Sequence, residues 1–215
     1  MKKITAEDIQ QMDTRYRATL INSLAGYKQP VLVGTCSTDG QDNLALFNSL
    51  MHVGANPPLY GLLFRPDTIR RDTLRNIVDT GAYTLNWINA EHISSAHQTA
   101  AKYEAHESEF PAVGFHPVRD EKNDPPRVAE AVISAKMKVE QIADIPLNGT
   151  RMVIGSVQII YLPESLVRGD GFVALHELDI PACVGLDAYY KVKPLVRLSY
   201  PRPGLSLHRI SFDDV

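Results

Sequence analysis

Cysteine is scarce: only Cys36 and Cys183 occur in 215 residues, far apart and neither in a C-x-x-C pair. That excludes a disulfide framework and a thiolate metal cage, and both thiols are expected to be reduced and buried. No run approaches the ~20 apolar residues of a membrane-spanning helix. The opening Met1-Lys2-Lys3-Ile4-Thr5-Ala6-Glu7-Asp8 turns acidic where a secretory leader would be apolar. The expected location is cytoplasmic, with no membrane partner. Excess charge of one sign is missing too. Twenty-two Lys and Arg against 25 Asp and Glu leave a net charge of -3, which gives no reason to expect nucleic acid.

The common chemical signatures are also absent. There is no G-x-G-x-x-G, no G-x-x-x-x-G-K-[ST], no H-E-x-x-H and no G-x-S-x-G. The seven histidines are scattered, and His92 and His97 are spaced wrongly to share a helix face. No metal site and no catalytic triad is expected. No internal repeat is visible.

What is present is an ordinary globular composition, 44% hydrophobic and 22% charged, in a chain long enough for one well-buried core. Thr5 followed by Asp8 reads as a helix start, and Ile9, Met12, Tyr16, Leu20 and Leu24 carry an apolar stripe to a stop at Gly26. A β-rich block follows. Val31–Ser37 is a strand, Asp39-Gly40 a hairpin turn, and Asn43–Leu50 the returning strand. Asn56-Pro57-Pro58 breaks the pattern before a strand at Leu59–Phe64. A helix over 68–80 should end at Gly81, ahead of a strand at Ala82–Ile88. Glu91–Glu107 reads as helical with weak periodicity. Strands are expected at Ile133–Ile142, Arg151–Leu162 and Leu195–Tyr200. Six or seven strands with short turns point to a closed antiparallel barrel with helices over its openings. The division is one domain over 1–215, with an N-terminal helix at 1–26 and a core at 30–200.

Asn43 to Asn86 is the informative stretch. A helix N-terminus carries unpaired N–H groups and partial positive charge. Arg65, Arg70 and Arg71 lie just before one here, and Thr73 adds a hydroxyl. The set suits a phosphate monoester. It equally suits a solvated helix face whose arginines pair with Asp67, Asp72 and Asp79.

Three words occur in order in this stretch: Asn43-Leu44-Ala45-Leu46-Phe47-Asn48-Ser49, then Asn56-Pro57-Pro58, then Arg71-Asp72-Thr73-Leu74-Arg75-Asn76-Ile77. Glu107-Ser108-Glu109-Phe110, Gly114-Phe115-His116-Pro117-Val118, Pro125-Pro126-Arg127-Val128 and Asp187-Ala188-Tyr189-Tyr190-Lys191 come later. No single word is specific. Their ordered combination, over about 30–200, resembles the flavin reductase-like family, which includes flavoredoxin. The resemblance implies a mainly β FMN-binding split β-barrel with flanking helices, of six or seven antiparallel strands in Greek-key order. It implies that Asn48, Ser49, Leu50 and Met51 face the isoalloxazine ring, with backbone and side-chain donors at its edges. Arg65, Arg71 and Thr73 would hold the phosphate, with Arg70 as a fourth member. It further implies a homodimer with FMN near the interface, where Tyr189, Tyr190 and Lys191 complete the site from either subunit. Plain core packing for Leu50 and Met51, and interface packing for Tyr189 and Tyr190, remain open. Two departures are Leu46, where relatives often carry proline, and 96–103, which lacks a common threonine-serine word.

The implied chemistry belongs to the flavin. NADH or NADPH would stack on the ring and pass hydride from the nicotinamide C4 to flavin N5, which agrees with the lack of an acid–base pair. The leading reading is an FMN-dependent NAD(P)H flavin reductase, one form of which is the reductase component of a monooxygenase. A flavoredoxin-type electron carrier and a non-catalytic split-barrel flavin-binding protein are the alternatives.

Overall fold

The computed structural model describes residues 1–66, 71–104 and 106–213. Two short helices open the chain, α1 (Ala6–Gln11) and α2 (Thr14–Leu24). Thr5 and Asp8 form the expected capping box, the Thr5 N–H donating to Asp8 Oδ2 at 2.7 Å. The single helix expected to run on to Gly26 is instead broken at Met12 and Asp13. The Asp13 carboxylate accepts the N–H groups of Arg15 and Tyr16 at 2.9 and 3.1 Å and so starts a new helix. Neither helix buries a residue within the protomer.

The sheet begins with β1 (Val31–Cys36) and β2 (Asp42–Phe47), joined through Gly40 at φ 86°, a left-handed conformation that favours glycine. Val31, Leu32 and Val33 are all fully buried, because β1 is covered on both faces. Val31 and Val33 join the main core with Leu62, Tyr83 and Met137, while Leu32 joins a second cluster with Leu44, Phe110 and Phe115. Burying each such side chain is worth ~1.5–3 kcal/mol. Cys183 is buried as expected; Cys36 is only half-buried, and both are free thiols.

The strand expected over Asn43–Leu50 is two strands. The chain bends at Asn48 and Ser49, and β3 (Leu50–Ala55) turns back through Asn56-Pro57 into β4 (Pro58–Phe64). Helix α3 (Asp72–Thr80) ends at Gly81, whose N–H donates to the Ile77 carbonyl at 2.9 Å. Next come β5 (Ala82–Trp87), α4 (Ile93–Gln98), α5 (Glu109–Val113), the small pair β6 (Pro117–Val118) and β7 (Arg127–Val128), and the long hairpin β8 (Ile133–Ile145) with β9 (Thr150–Tyr161). Of the expected middle helix, the described residues form a 3-10 turn at Ala90–His92 and the six residues of α4, since 99–107 offers no apolar stripe to dock. A hairpin of β10 (Pro181–Val184) and β11 (Ala188–Lys191) follows. The expected tail strand shrinks to β12 (Arg197–Leu198), which pairs with β13 (Arg209–Ile210) apart from the main sheet.

The main sheet has seven antiparallel strands in the order β2-β1-β5-β8-β9-β4-β3. Its two edges, β2 and β3, are consecutive in the chain and joined by only Asn48 and Ser49. Two linking residues span at most about 11 Å, so the edges must meet at one end and the sheet must curl. The result is a barrel left unzipped between β2 and β3, rather than the closed ladder the strand count alone suggests. The chain crosses from β4 to β5 through α3, and the β8–β9 hairpin fills the gap between them, a Greek-key arrangement. Among the described residues no helix is long and apolar enough to cross a membrane.

Candidate flavin site

The bend that splits the barrel borders a cavity of about 860 Å³, within the range that holds drug-sized ligands and cofactors. Asn48, Ser49, Leu50 and Met51 line it from the β2–β3 bend, and Arg65, Arg71 and Thr73 from β4 and the start of α3. Tyr189 lines it from β11, and His97 with 99–103 from α4 and the segment after it. Seven of the eleven residues expected at the site from sequence therefore surround one space, and Tyr189 makes an eighth. Arg70 lies outside the described residues. Tyr190 and Lys191 are not among the lining residues. Tyr190 packs edge-on against Tyr27, and Lys191 pairs with Asp179 at 2.7 Å.

At one end stands the α3 N-terminus. Its N-cap residue, Arg71, makes no side-chain capping bond, so among the described residues the partial positive charge of the helix start faces the cavity. Arg71 precedes α3, its Nε donating to the Pro66 carbonyl at 3.3 Å, which fixes where the guanidinium sits. Arg65 is exposed nearby. Thr73 is buried, and its oxygen accepts a hydrogen from Asn43 Nδ2 at 2.9 Å.

At the bend the side-chain donors are already engaged. The Ser49 hydroxyl donates to the Leu63 carbonyl at 2.9 Å. Asn48 Nδ2 donates to the Gly185 carbonyl at 2.7 Å, with Cys183 Sγ at 3.9 Å. Their hydrogens hold the bend and the β10–β11 hairpin together rather than pointing to a ligand, so the Asn48 and Ser49 side chains retain acceptor oxygens there.

Two further groups line the cavity. Glu109 accepts the Leu44 N–H at 2.8 Å. Burial pushes its carboxyl above the ordinary glutamate range; the Leu44 and Glu109 N–H groups hold it back, and the neighbouring Asp72 carboxylate pushes it further. His97 Nδ1 and the Tyr189 hydroxyl lie 2.8 Å apart. Burial, then the nearby Cys183 and Asp187, push the Tyr189 phenol up to about 12.

Sequence reasoning assigned no role to Asn43, His97, Glu109 or Cys183. Asn43 and Glu109 sit inside words already singled out, so a signal existed. His97 had none, since its partner is 92 positions away.

A family model described as the flavin reductase like domain matches residues 24–176. A Shewanella frigidimarina protein with a split barrel domain, to which a flavin reductase role is ascribed, is 39% identical, with a TM-score of 0.88 over 94% of this chain and 100% of its own. Nitrilotriacetate monooxygenase component B from Bacillus cereus shares the fold at 21% identity, with a TM-score of 0.81 over 92% of this chain and 98% of its own. The uncharacterized protein YwrF of Bacillus subtilis is 28% identical over 68% of this chain and 74% of its own length. The chain is thus a split-barrel protein of the flavin reductase-like family.

Proposed function

We propose that the cavity holds FMN and that the protein is an NAD(P)H-dependent flavin reductase. The observation that carries this is the phosphate end. A helix start that its N-cap residue leaves without a side-chain cap, the Arg71 guanidinium and a buried threonine hydroxyl line one cavity large enough for the cofactor. Thr73 already accepts from Asn43, so its own hydrogen is available to an acceptor-only ligand. A phosphate monoester fits that donor set, and an uncharged flavin tail would not use it.

Arg71, Thr73 and Arg65 hold the phosphate. Main-chain N–H groups of 48–51 face the ring edges, because the side-chain hydrogens of Asn48 and Ser49 are spent elsewhere. Leu50 and Met51 offer an apolar surface beside them. Bound there, FMN supplies hydride acceptance from a nicotinamide and onward two-electron transfer. The chain's own part is to bind, to orient and to exclude water, with the segment 99–103 and Tyr189 covering the opposite side.

A homodimer belongs to the same reading. The apolar face of α2 is uncovered in the protomer, with Leu24 at 74% exposure and the adjacent Tyr27 at 67%. Tyr190 lies against Tyr27, so β11 borders that face, and Lys191 follows it. A partner subunit there would bring those residues near the cavity mouth. The fold shared with a monooxygenase component B makes an oxygenase component a candidate acceptor of reduced flavin.

The test is an anaerobic titration of the FMN-loaded protein with NADH and with NADPH, followed by flavin absorbance. Bleaching by either nicotinamide supports the reductase. Retained FMN that bleaches only with dithionite would mark an electron carrier instead.

A further inference from the structure

Behind the phosphate end lies a polar cluster closed off from water. Thr35 of β1, Asn43 of β2, and Thr73 and Asn76 of α3 are exposed by only 0%, 8%, 6% and 5%. Asn43 Nδ2 donates to Thr35 Oγ1 at 3.2 Å and to Thr73 Oγ1 at 2.9 Å. Asn76 Nδ2 donates to Thr35 Oγ1 at 3.1 Å.

The Asn43 carboxamide turns Nδ2 toward both threonine hydroxyls, and that orientation sets the direction of the chain. A side-chain amide nitrogen has two hydrogens and accepts none, and a hydroxyl has one hydrogen and two acceptor sites. Both Asn43 hydrogens are used. Thr35 receives two bonds, which fills its acceptor sites and makes it the anchor for both carboxamides. Thr73 receives one bond from Asn43, so its hydrogen cannot return there. Among the described residues that hydroxyl has no acceptor of its own, and Thr73 lines the cavity. The Thr35 hydrogen likewise has no acceptor among the described residues, but Thr35 is closed off behind the cluster; Thr73 lines the cavity, so only its hydrogen can be met by an acceptor that arrives from outside.

We infer that Asn43 is a positioning residue of the flavin site: held by Thr35, it commits the Thr73 hydroxyl to donate into the cavity and so selects a flavin bearing a phosphate over one without. The inference rests on the FMN reading above. Asn43 itself touches no cofactor. A purely structural cluster would tie α3 to the β1–β2 hairpin and treat both flavins alike.

The test titrates the full-length protein, freed of flavin, with FMN and with riboflavin, and reads the ratio of the two affinities. Thr73→Val and Asn43→Leu should each weaken FMN about tenfold, as for one hydrogen bond, and leave riboflavin within about threefold. The double variant should lose no more than Thr73→Val alone, because Asn43 acts through Thr73. Asn43→Asp is nearly isosteric and serves if Asn43→Leu does not fold. Its carboxylate would take the Thr73 hydrogen and repel the phosphate, lowering FMN affinity about a hundredfold with riboflavin again spared. Equal weakening of both flavins, or losses that multiply in the double variant, would overturn the inference. If Thr73→Val removes the FMN preference while both Asn43 variants keep it, only the positioning role fails. If Thr73→Val with Arg71→Ala leaves the preference intact, the phosphate lies elsewhere and the FMN reading fails with it.

Discussion

The Asn48 carboxamide donates to the main-chain carbonyl of Gly185 at 2.7 Å, joining two points 137 positions apart. This bond fastens the bend that splits the barrel to the β10–β11 hairpin, which carries Tyr189. It acts beside the two main-chain bonds between Lys28 and Cys183 and the His97–Tyr189 contact, which hold the same hairpin. Asn48→Ala should lower stability by ~1 kcal/mol and weaken FMN and riboflavin equally, since it loosens the wall around the ring and leaves the phosphate end alone. Urea unfolding and paired flavin titrations check both parts. A loss confined to FMN would contradict the assignment of Asn48 to the ring end.

Tyr83 is buried in the main core, and its hydroxyl has no hydrogen-bond partner among the described residues. Burying an unpaired hydroxyl costs ~1–3 kcal/mol. Tyr83→Phe should therefore leave stability unchanged or raise it by about 1 kcal/mol, read as a higher Tm. The neighbouring Gly155 leaves room for that ring. A Cβ there would stand 2.3 Å from the Tyr83 hydroxyl oxygen and 3.1 Å from the Lys138 carbonyl. Gly155→Ala should cost ~1–3 kcal/mol by overpacking, and less in the Tyr83→Phe background.

Glu109 gives a pH dependence with a definite sign. Its carboxyl titrates above the ordinary glutamate value because burial disfavours the charge. Protonation therefore favours the folded state. The stability it contributes is complete below the unfolded value of about 4.3 and is lost as pH rises through the raised folded value. Glu109→Gln keeps an acceptor for the Leu44 N–H and has no charge to bury. Its stability should vary less with pH across that window than the wild type's, and Glu109→Ala should be the less stable variant at every pH. Thermal melts at a series of pH values decide this; identical slopes for wild type and Glu109→Gln would contradict it.

The uncovered α2 face makes a prediction about assembly. Leu24→Glu places a charge on the most exposed apolar residue of that helix. If this face is a subunit interface, light scattering should report twice the protomer mass for the wild type and the protomer mass for the variant. A wild-type monomer at tens of micromolar would contradict the dimer.

Local signals carried most of the barrel. The Asp39-Gly40 turn, the β-branched run at β1 and the Gly81 stop each have a short-range cause, and each appears where its residues stand. The errors came where long-range pairing overrides local pattern. Asn43–Leu50 alternates well enough for one strand, but β2 pairs with β1 and β3 with β4, and the Ser49 hydroxyl bonds the Leu63 carbonyl at the bend between them. Asp13 splits the first helix with a cap that Met12 and Tyr16 at helical spacing conceal. The phosphate end was legible because Arg71 and Thr73 adjoin one helix start. The Asn43 relay and the His97–Tyr189 contact were not, since each joins residues dozens of positions apart.

A phosphate at the start of α3, with the ring against the β2–β3 bend, is the arrangement on which the proposed function depends. A crystal structure of the protein grown with FMN tests it directly. Phosphate density within hydrogen-bond reach of Thr73 Oγ1 and the Arg71 guanidinium, and ring density beside 48–51, is the expected result. Phosphate bound elsewhere, or a cavity closed by protein side chains while FMN is absent or on the surface, would contradict it.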